Sequence, residues 1–461
     1  MFPERFIQRI RTQEYIDANN LLNALKEPSP VSIRINPYKW NGRPVDSDPV
    51  PWCSTGFYLE TRPSFTLDPL FHSGCYYPQE ASGMFLEQVF RQLVSGDGYI
   101  RVLDLCGAPG GKSTHLSSLI GSRGLLVSNE VIRTRASVLS ENITKWGITN
   151  TIVTRNDPSD FSALEGFFDV ILVDAPCSGE GMFRDTIAVN QWSEENTIHC
   201  SERQKRILTD VWPALKGNGI LIFSTCTFNP GENEANVKWL VTEHQAETIE
   251  LDISEFNEIT KIDYHGITGY GFYPGIIKGE GLFFSVIRKT RNSGKMSAGT
   301  RKKQNPEPER SDLEVVREWT TFNIDNFIRS GDEIYYVPGK MEDYCILKKS
   351  LRLVSPGTKI CSVKKNGYIP AHELALSDGI RKDAFHKVEL DYSQALAYLR
   401  RDTLNTTGIS KGWFLSAFRG VNMGFCNNIG SRINNNYPVE WRIRMRVPET
   451  TGRQVINWRK M

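Results

Sequence analysis

Two cysteines, Cys177 and Cys226, each lie in a short loop that directly follows a run of apolar residues. The runs, Asp169–Val173 and Gly219–Ser224, have few polar positions, which is typical of buried strands in a parallel sheet. Because the carboxyl ends of such strands meet at one cofactor-binding edge, we expect the two thiols to face the same position. Two thiols in that place predict covalent chemistry on an electrophilic substrate.

A thiol needs particular neighbours before it can act as a nucleophile. A free cysteine has a pKa of about 8.5, so a reactive one needs a group that lowers this value, and Lys112 is a candidate. Asp174, three residues before Cys177, is placed to act as an acid toward a ring that the thiol attacks. The alternative is that a cysteine is a small buried hydrophobic residue. That interpretation suits four cysteines better than the two in the loops: Cys106, Cys200, Cys345 and Cys361.

A third loop is rich in glycine and allows two interpretations. Its residues are Cys106, Gly107, Ala108, Pro109, Gly110, Gly111 and Lys112. A P-loop of an ATPase would need a glycine where Cys106 stands, and Gly107 comes one residue too late. The other interpretation is a loop that binds S-adenosyl-L-methionine, since glycines let the backbone approach a ligand and the amides of the next helix suit a carboxylate.

Acidic residues should complete such a cofactor site. Glu130 ends the second predicted strand, where a carboxylate can bind the hydroxyls of a ribose. Asp157 follows the third strand and could hold the adenine end, and Arg135 is a further candidate cofactor contact. The alternative for each carboxylate is an exposed group without a ligand.

The composition is that of an ordinary globular protein. No run of 18 apolar residues is present, so no transmembrane helix and no membrane partner are predicted, and the N-terminus lacks a signal-peptide core. The nine cysteines form no CxxC pair, which argues against a zinc site or a disulfide framework. We therefore expect reduced thiols, no bound metal and a cytoplasmic location. One chain holds every part of the site, so a monomer is expected.

The net charge of +2 conceals an uneven distribution. Residues 1–290 carry −9, residues 291–461 carry +11, and residues 400–461 alone carry +8. A basic appendage on an acidic body indicates a polyanionic partner, although a solvated basic face is equally compatible with these numbers.

The elements that position these loops alternate between strand and helix from Val102 to Arg288, which predicts an α/β core with a parallel, doubly wound sheet. A helix is predicted over Phe6–Leu25, and short strands of a small barrel are predicted near the C-terminus, the last over Trp441–Val447. Five segments are predicted, of which the linker, 290–310, rests on its composition: 1–75 as an N-terminal RNA-binding extension, 76–289 as the catalytic domain, 290–310 as the linker, 311–395 as an intermediate domain and 396–461 as a basic, RNA-binding terminal domain.

Three ordered motifs resemble the NOL1/NOP2/Sun family of RNA (cytosine-5)-methyltransferases. They are 104–112 (DLCGAPGGK), 174–181 (DAPCSGEG) and 224–227 (STCT), the last continued by 229–234 (NPGENE). More narrowly, the chain is similar to the bacterial RsmF type of this family, which acts on 16S ribosomal RNA. That similarity lies in 32–36 (SIRIN), 51–53 (PWC), 68–72 (DPLFH), 77–82 (YPQEAS) and 433–438 (INNNYP).

The resemblance implies a fold and a role for each residue. The fold would be a Rossmann-like methyltransferase core with an N-terminal α+β extension and a C-terminal α/β plus PUA-like β-barrel region. Cys226 would be the nucleophile that adds to carbon 6 of cytosine, and Cys177 would help to release the product. Asp174 would contact the cytosine ring, whereas Lys112 and the glycine loop would contact the cofactor or the active site.

The expected partner is RNA, either 16S ribosomal RNA or the small ribosomal subunit. An unpaired or flipped-out cytosine would be needed, because a duplex hides carbon 6. Candidate RNA contacts are four arginines: Arg432, Arg442, Arg444 and Arg446. Transfer RNA as the substrate, a non-catalytic RNA-binding factor and an ATPase are the alternatives.

Overall fold

A computed structural model describes residues 2–94, 96–290, 307–404, 408–445 and 455–460. Most of the predicted linker, 290–310, and the candidate RNA contact Arg446 lie outside these ranges. Among the described residues, no helix is long and apolar enough to cross a membrane.

The N-terminal region, residues 2–78, combines short helices with an antiparallel sheet. Its helices are α1 (Glu4–Thr12), α2 (Ala18–Ala24) and α3 (Pro69–His72), and its strands are β1 (Val31–Ile35), β2 (Gly42–Pro44), β3 (Ser47–Pro49), β4 (Gly56–Leu59) and β5 (Tyr76–Pro78). The strand order is β3-β4-β1-β5. The single helix predicted over Phe6–Leu25 is wrong, because the backbone becomes extended at Gln13 and a second helix begins where Asp17 caps the amide of Asn20.

The central region, residues 79–290, carries the main sheet. Its helices are α4 (Leu86–Leu93), α5 (Gly111–Ile120), α6 (Arg133–Trp146), α7 (Thr186–Gln191), α8 (Glu194–Val211) and α9 (Glu234–His244). Its strands are β6 (Ile100–Asp104), β7 (Gly124–Asn129), β8 (Thr151–Thr154), β9 (Phe168–Asp174), β10 (Leu215–Thr225), β11 (Glu247–Thr248), β12 (Thr260–Tyr264), β13 (Ile267–Phe272) and β14 (Leu282–Arg288). The predicted alternation of strands and helices is confirmed.

Five central strands are parallel, in the order β8-β7-β6-β9-β10. Next to β10 the sheet becomes antiparallel through β14, β13 and β12. The prediction of a parallel sheet therefore fails for β14, because the chain reaches it through the β12–β13 hairpin and not through a crossover helix. Apolar side chains from both faces of the parallel strands fill two separate cores, so these strands are covered on each side.

The middle region, residues 307–385, packs against one edge of the main sheet. Its helices are α10 (Arg310–Trp319), α11 (Met341–Ser350) and α12 (His372–Leu376), and its strands are β15 (Phe327–Ser330), β16 (Glu333–Tyr336), β17 (Leu353–Ser355), β18 (Thr358–Lys364) and β19 (Gly367–Pro370). Strands β15, β16, β18 and β19 form their own antiparallel sheet. Strand β17 instead pairs with β8, so the middle region covers that edge of the main sheet.

The C-terminal region, residues 386–460, forms a four-stranded sheet and one helix. Its elements are β20 (His386–Glu389), α13 (Tyr392–Arg400), β21 (Gly412–Phe418), β22 (Val421–Asn428), β23 (Ile433–Asn435) and β24 (Trp458–Lys460). The last strand, β24, does not join this sheet but pairs with β2 of the N-terminal region.

The strand predicted over Trp441–Val447 is wrong over its described part, residues 441–445. The amide of Ile443 donates to the carbonyl of Leu399 at the end of α13, at 3.1 Å, so it does not join a strand ladder. The side chain of Ile443 is buried in the core of this region, while Arg442 and Arg444 are exposed on either side of it.

Candidate active site

The candidate site lies where the strand order of the main sheet reverses. Strands β6 and β9 are neighbours, but their following strands, β7 and β10, lie on opposite sides. Ligands of open α/β sheets bind in the crevice outside the carboxyl ends of the strands at such a point. Three loops meet there: residues 104–111 after β6, 174–181 after β9 and 225–233 after β10.

The structure brings the two loop cysteines into contact. Cys177 Sγ lies 2.9 Å from Cys226 Sγ, both side chains are partly exposed, and both are free thiols. The amide of Cys226 also donates to Cys177 Sγ, at 3.2 Å. The hydrogen bond to Cys226, together with burial, raises the pKa of Cys177 well above its usual value. The two sulfurs therefore share a position in which one proton can lie between them.

Lys112 and Asp174 form an ion pair beside this thiol pair. Lys112 Nζ lies 2.8 Å from Asp174 Oδ2, and Ser224 Oγ donates to Asp174 Oδ1 at 2.7 Å. Burial lowers the pKa of Lys112, but the attraction of Asp174 outweighs it and the net shift is upward. Cys226 contributes to that upward shift, so the ammonium group and this sulfur are close enough to interact.

The glycine loop rests on a buried polar cluster at the end of β6. Ser113 Oγ donates to Asp104 Oδ2 at 2.6 Å and contacts Ser128 Oγ at 2.6 Å. A Cβ atom on Gly107 would lie 2.5 Å from Ser128 Oγ and 2.7 Å from Ser113 Oγ, so only glycine fits. Burial raises the pKa of Asp104 to about 7. This tight support leaves the outer side of the loop and the start of α5 facing the crevice.

Glu130 and Arg135 lie together against the same loop. Glu130 directly follows β7 and is almost fully buried. Arg135 Nη2 lies 3.4 Å from Glu130 Oε2 and also donates to the carbonyl of Ala108, at 2.9 Å. Arg135 thus ties the end of β7 to the glycine loop.

Asp157 has a different surrounding. Its carboxylate caps the 3-10 helix Pro158–Ala163 through the amide of Ser159, and Arg206 Nη1 lies 3.2 Å from it. The hydrogen bonds of Ser159 and the charge of Arg206 outweigh burial, which acts in the opposite sense, so the pKa of Asp157 is lowered. The bonds described for this carboxylate therefore join it to α8 and not to the glycine loop.

Sequence reasoning assigned no role to Glu232, which links the two cysteine loops. Ser178 donates to Glu232 twice, from its amide at 2.9 Å and from Oγ at 2.5 Å, and Gln204 Nε2 donates at 3.2 Å. Ser178 Oγ also lies 2.9 Å from Thr227 Oγ1. Burial raises the pKa of Glu232 to about 7. The sequence did point to this residue, because Glu232 belongs to the motif 229–234 that follows the second cysteine.

Two arginines of the N-terminal region also support the site, and the sequence did not predict their contacts. Arg34 Nε donates to Gln79 Oε1 at 2.8 Å, and Arg34 Nη2 donates to Thr114 Oγ1 at 2.6 Å, which fixes the first turn of α5. Arg9 of α1 pairs with the buried Glu180 in the loop after Cys177. These contacts join residues that are 45 or more positions apart in the chain, and no local pattern announces them.

The predicted RNA contacts lie on the C-terminal region. Arg432 is exposed in the turn between β22 and β23, and Arg442 and Arg444 are exposed beyond β23. Arg446 falls outside the described residues, so the structure gives it no position.

One group of potential metal ligands occurs among the described residues, away from the thiol pair. It consists of Cys53, Glu87 and His115, with 4.0 Å from Cys53 Sγ to His115 Nε2 and 3.5 Å from His115 Nε2 to Glu87 Oε2. The amide of Ser54 donates to both carboxylate oxygens of Glu87. These groups contact one another, although His115 Nδ1 has no hydrogen-bond partner among the described residues, and no metal is assigned to them.

Comparison with known families gives three matches along the chain. Residues 94–288 match the family described as 16S rRNA methyltransferase RsmB/F. Residues 2–81 match the N-terminal domain of 16S rRNA methyltransferase RsmF, and residues 385–443 match the PUA domain of methyltransferase RsmF. The matches confirm the predicted Rossmann-like core with an N-terminal extension and a PUA domain.

Similar proteins cover nearly the whole chain. Ribosomal RNA small subunit methyltransferase F of Klebsiella pneumoniae is 30% identical over 95% of this chain and 96% of its own. The protein of the same name in Salmonella newport is 32% identical, with the same coverage. A methyltransferase homologue of known structure from Pyrococcus horikoshii is 27% identical and covers 62% of this chain and 95% of its own, with a TM-score of 0.53. NSun6 from the same organism, solved with SFG, is similar in fold, with a TM-score of 0.52 over 63% of this chain and 99% of its own at 19% identity.

Proposed function

This chain belongs to the RsmB/F family of 16S rRNA methyltransferases, and we propose from that premise that it methylates carbon 5 of a cytosine in 16S ribosomal RNA through a covalent cysteine adduct. The observation that carries the proposal is the pair of free thiols, 2.9 Å apart, with Lys112 and Asp174 beside them. Carbon 5 of cytosine is a weak nucleophile until a thiolate adds to carbon 6. One thiol that attacks and a second that assists release match the two steps that this chemistry needs.

The methyl donor in this proposal is S-adenosyl-L-methionine, which supplies an electrophilic methyl group when it is bound. Gly107 lets the loop pack against Ser113 and Ser128, Gly110 adopts a positive φ, and the first amides of α5 suit the donor's carboxylate. Glu130 is placed for the ribose hydroxyls, with Arg135 holding it against the loop. A role for Asp157 at the adenine end stays a prediction.

The side chains divide the reaction between them. Cys226 forms the bond to carbon 6, and Asp174 contacts the ring nitrogen that gains electron density, with Lys112 balancing the charge. After methyl transfer, a base must take the proton from carbon 5 so that the bond between carbon 6 and the Cys226 sulfur can break. Cys177, whose sulfur lies 2.9 Å from that of Cys226, donates its proton to the departing Cys226 sulfur, and the Cys177 thiolate formed in this way takes the proton from carbon 5.

Methyl transfer from labelled S-adenosyl-L-methionine tests the reaction and the substrate class together. The substrates are deproteinised 16S RNA, small ribosomal subunits and bulk transfer RNA, and the product is analysed for 5-methylcytosine. We expect label in 16S RNA or in subunits. Label only in transfer RNA would keep the chemistry and overturn the substrate, and no label in any RNA would favour a non-catalytic RNA-binding factor.

Two cysteine variants test the assignment of roles. Cys226→Ala should lose methylation because no sulfur remains to attack carbon 6. Cys177→Ala should accumulate a protein–RNA adduct that survives a denaturing gel, since attack proceeds and release does not. A fully active Cys226→Ala variant would overturn the assignment of Cys226 as the nucleophile. The absence of an adduct with Cys177→Ala would overturn the assignment of Cys177 as the release group. Cys345→Ala, at an exposed cysteine of α11, is the control for a changed thiol elsewhere.

The exposed arginines of the C-terminal region are proposed to bind the RNA backbone, with Arg446 as a further predicted contact. A variant with Arg432, Arg442 and Arg444 changed to Gln should bind all RNA sequences more weakly. Its affinity should also depend less on salt, by about one unit of log–log slope for each phosphate that the variant no longer neutralises. Equal salt slopes for the variant and the wild type would show that these arginines do not touch phosphates.

A P-loop ATPase is disfavoured by the position of Lys112. Its ammonium is paired with Asp174 across the crevice, whereas a P-loop lysine must reach the phosphates of the nucleotide. A monomeric state and a cytoplasmic location stay predictions from the sequence.

A further inference from the structure

Glu232 stands at the centre of a buried hydrogen-bond network behind both thiols. It accepts two hydrogen bonds from Ser178, the residue after Cys177, at 2.9 and 2.5 Å. Ser178 Oγ in turn lies 2.9 Å from Thr227 Oγ1, the residue after Cys226. Glu232 is fully buried, so breaking these bonds would leave a carboxylate without solvent to replace them. One side chain thus fixes the two loops relative to each other.

Gln204 reinforces this arrangement from α8. Its Nε2 atom donates to Glu232 at 3.2 Å and to the carbonyl of Pro176 at 3.1 Å, and its Oε1 atom accepts from Asn236 at 2.7 Å. Hydrogen bonds link the side chains of Glu232, Gln204 and Asn236, and this set supports the loop that carries Cys177. Small movements of Glu232 would therefore move the Cys177 sulfur.

The charges around the thiol pair are arranged unequally. Lys112 interacts with Cys226, and this attraction contributes to the raised pKa of Lys112. Glu232 interacts with Cys177, and its negative charge is one of the causes that raise the pKa of Cys177. Above about pH 7, where the Glu232 carboxyl is ionised, its charge favours the protonated form of Cys177.

We propose that Glu232 is a positioning residue that holds the Cys177 loop through Ser178 and keeps Cys177 protonated beside Cys226. The catalytic meaning of this inference rests on the proposed function, but the protonation of Cys177 does not.

Other ionisable groups face the same cluster, and a substitution at Glu232 leaves all of them in place. Glu180 faces Glu232, and Cys200 of α8 lies near both Glu232 and Cys226, with Arg203 beside it. Asp174 and Asp104 face Lys112. A change at Glu232 removes the carboxylate that accepts two hydrogen bonds from Ser178, so the variant tests this contact.

Alkylation of the two thiols by iodoacetamide in the free, full-length protein tests the inference without RNA or cofactor. The rate for each cysteine is measured by peptide mass spectrometry between pH 6 and pH 10. In the wild type, Cys177 should react slowly near neutral pH, because only thiolates react and its pKa is raised. In Glu232→Gln, the Cys177 rate should rise at least about threefold, with its midpoint lowered by about half a pH unit or more.

Glu234→Gln is the matched control. Glu234 is also buried, and burial raises its pKa to about 7 as well, but it is not bonded to either cysteine loop. This variant should keep the wild-type rates at both thiols. Glu232→Asp retains the charge and should keep Cys177 slow, which allows a test even where Glu232→Gln folds poorly.

The outcomes separate this inference from the proposed function. Unchanged alkylation of Cys177 in Glu232→Gln, or an equal change in Glu234→Gln, would overturn the inference whether or not the protein methylates RNA. Should methylation be found, Glu232→Gln should also lower kcat with little change in the KM for RNA, since the residue does not touch the substrate. A wild-type kcat in Glu232→Gln would overturn its positioning role.

Discussion

At the scale of single residues, the glycine loop at the candidate cofactor site is tightly packed on its buried side. Gly107 rests on Ser113 and Ser128, which in turn hold the buried Asp104. Interiors are close-packed, so an extra methyl group has to displace its neighbours. Since the serine hydroxyls are already bonded to each other, that displacement would break hydrogen bonds as well as shift the loop.

Gly107→Ala should therefore destabilise the protein by about 1–3 kcal/mol and abolish binding of S-adenosyl-L-methionine. The added Cβ would meet Ser128 Oγ at 2.5 Å and push the loop into the crevice. Thermal unfolding and isothermal titration calorimetry measure the two effects. Gly98→Ala is the control, because no atom lies within 4 Å of its added Cβ and both properties should stay unchanged. Undiminished cofactor binding by Gly107→Ala would show that the loop does not hold the donor.

The sequence predicted which side chains gather in the crevice but not what holds them there. Cys177, Cys226, Asp174 and Lys112 could be placed together because strand ends in a parallel sheet share one edge. The supports of these residues could not be placed, since each comes from a distant part of the chain. Arg9, for example, pairs with Glu180, which lies 171 positions away along the chain, and the sequence of α1 does not predict that contact.

At the scale of elements, helix α1 acts as a brace for the loop after Cys177. Glu180 in that loop is fully buried, and it accepts hydrogen bonds from Arg9 and from Trp192 Nε1, the latter at 2.8 Å. Phe6 of α1 packs against Phe183 with ring centroids 4.8 Å apart, so apolar contacts accompany the ion pair. The N-terminal region therefore contributes to the geometry of the thiol pair without touching either sulfur.

Removing this brace should loosen the loop. Arg9→Ala leaves a buried carboxylate with fewer partners, at a cost of about 2 kcal/mol in the free energy of unfolding. Hydrogen exchange of residues 177–183 should become faster, and urea unfolding should shift to a lower midpoint. Arg5→Ala is the matched control on the same helix, because Arg5 and Glu194 are exposed and 3.8 Å apart, and such pairs contribute little. Equal effects of the two variants would argue against a specific role for the Arg9–Glu180 pair.

At the scale of the whole molecule, one buried junction joins all four regions. His72 lies in the N-terminal region, Lys145 in α6, His372 in α12, and Tyr437 and Trp441 in the C-terminal region. Lys145 Nζ lies 5.4 Å from the ring of Trp441, and the rings of His372 and Tyr437 are 5.2 Å apart. Tyr437 Oη lies 3.3 Å from His72 Nδ1, so the C-terminal region that is proposed to bind RNA is anchored to the body through polar and aromatic contacts.

This junction should make the protein sensitive to acid. Burial, reinforced by the charge of Lys145, lowers the pKa of His72 and of His372 to about 3. An unfolded imidazole has a pKa of about 6.5, so between pH 6.5 and pH 3 the unfolded chain binds protons that the folded chain does not. Stability is therefore complete above pH 6.5 and is lost as the pH falls, by up to about 1.4 kcal/mol per pH unit for each histidine.

His372→Leu should reduce this loss, because neither buried ring nitrogen of His372 has a hydrogen-bond partner in the described part of the chain and the variant has no proton to take up. Its thermal midpoint near pH 7.5 should stay close to that of the wild type, since the weaker aromatic packing is offset by the removal of two unsatisfied polar atoms. Between pH 6 and pH 4.5 its midpoint should fall less steeply than that of the wild type. The exposed His386, changed to Leu, is the control and should follow the wild-type curve. Parallel curves for His372→Leu and the wild type would show that the junction does not open when the protein is acidified. If it opened, the imidazole of His372 would take up a proton, and this uptake would make the wild-type curve steeper.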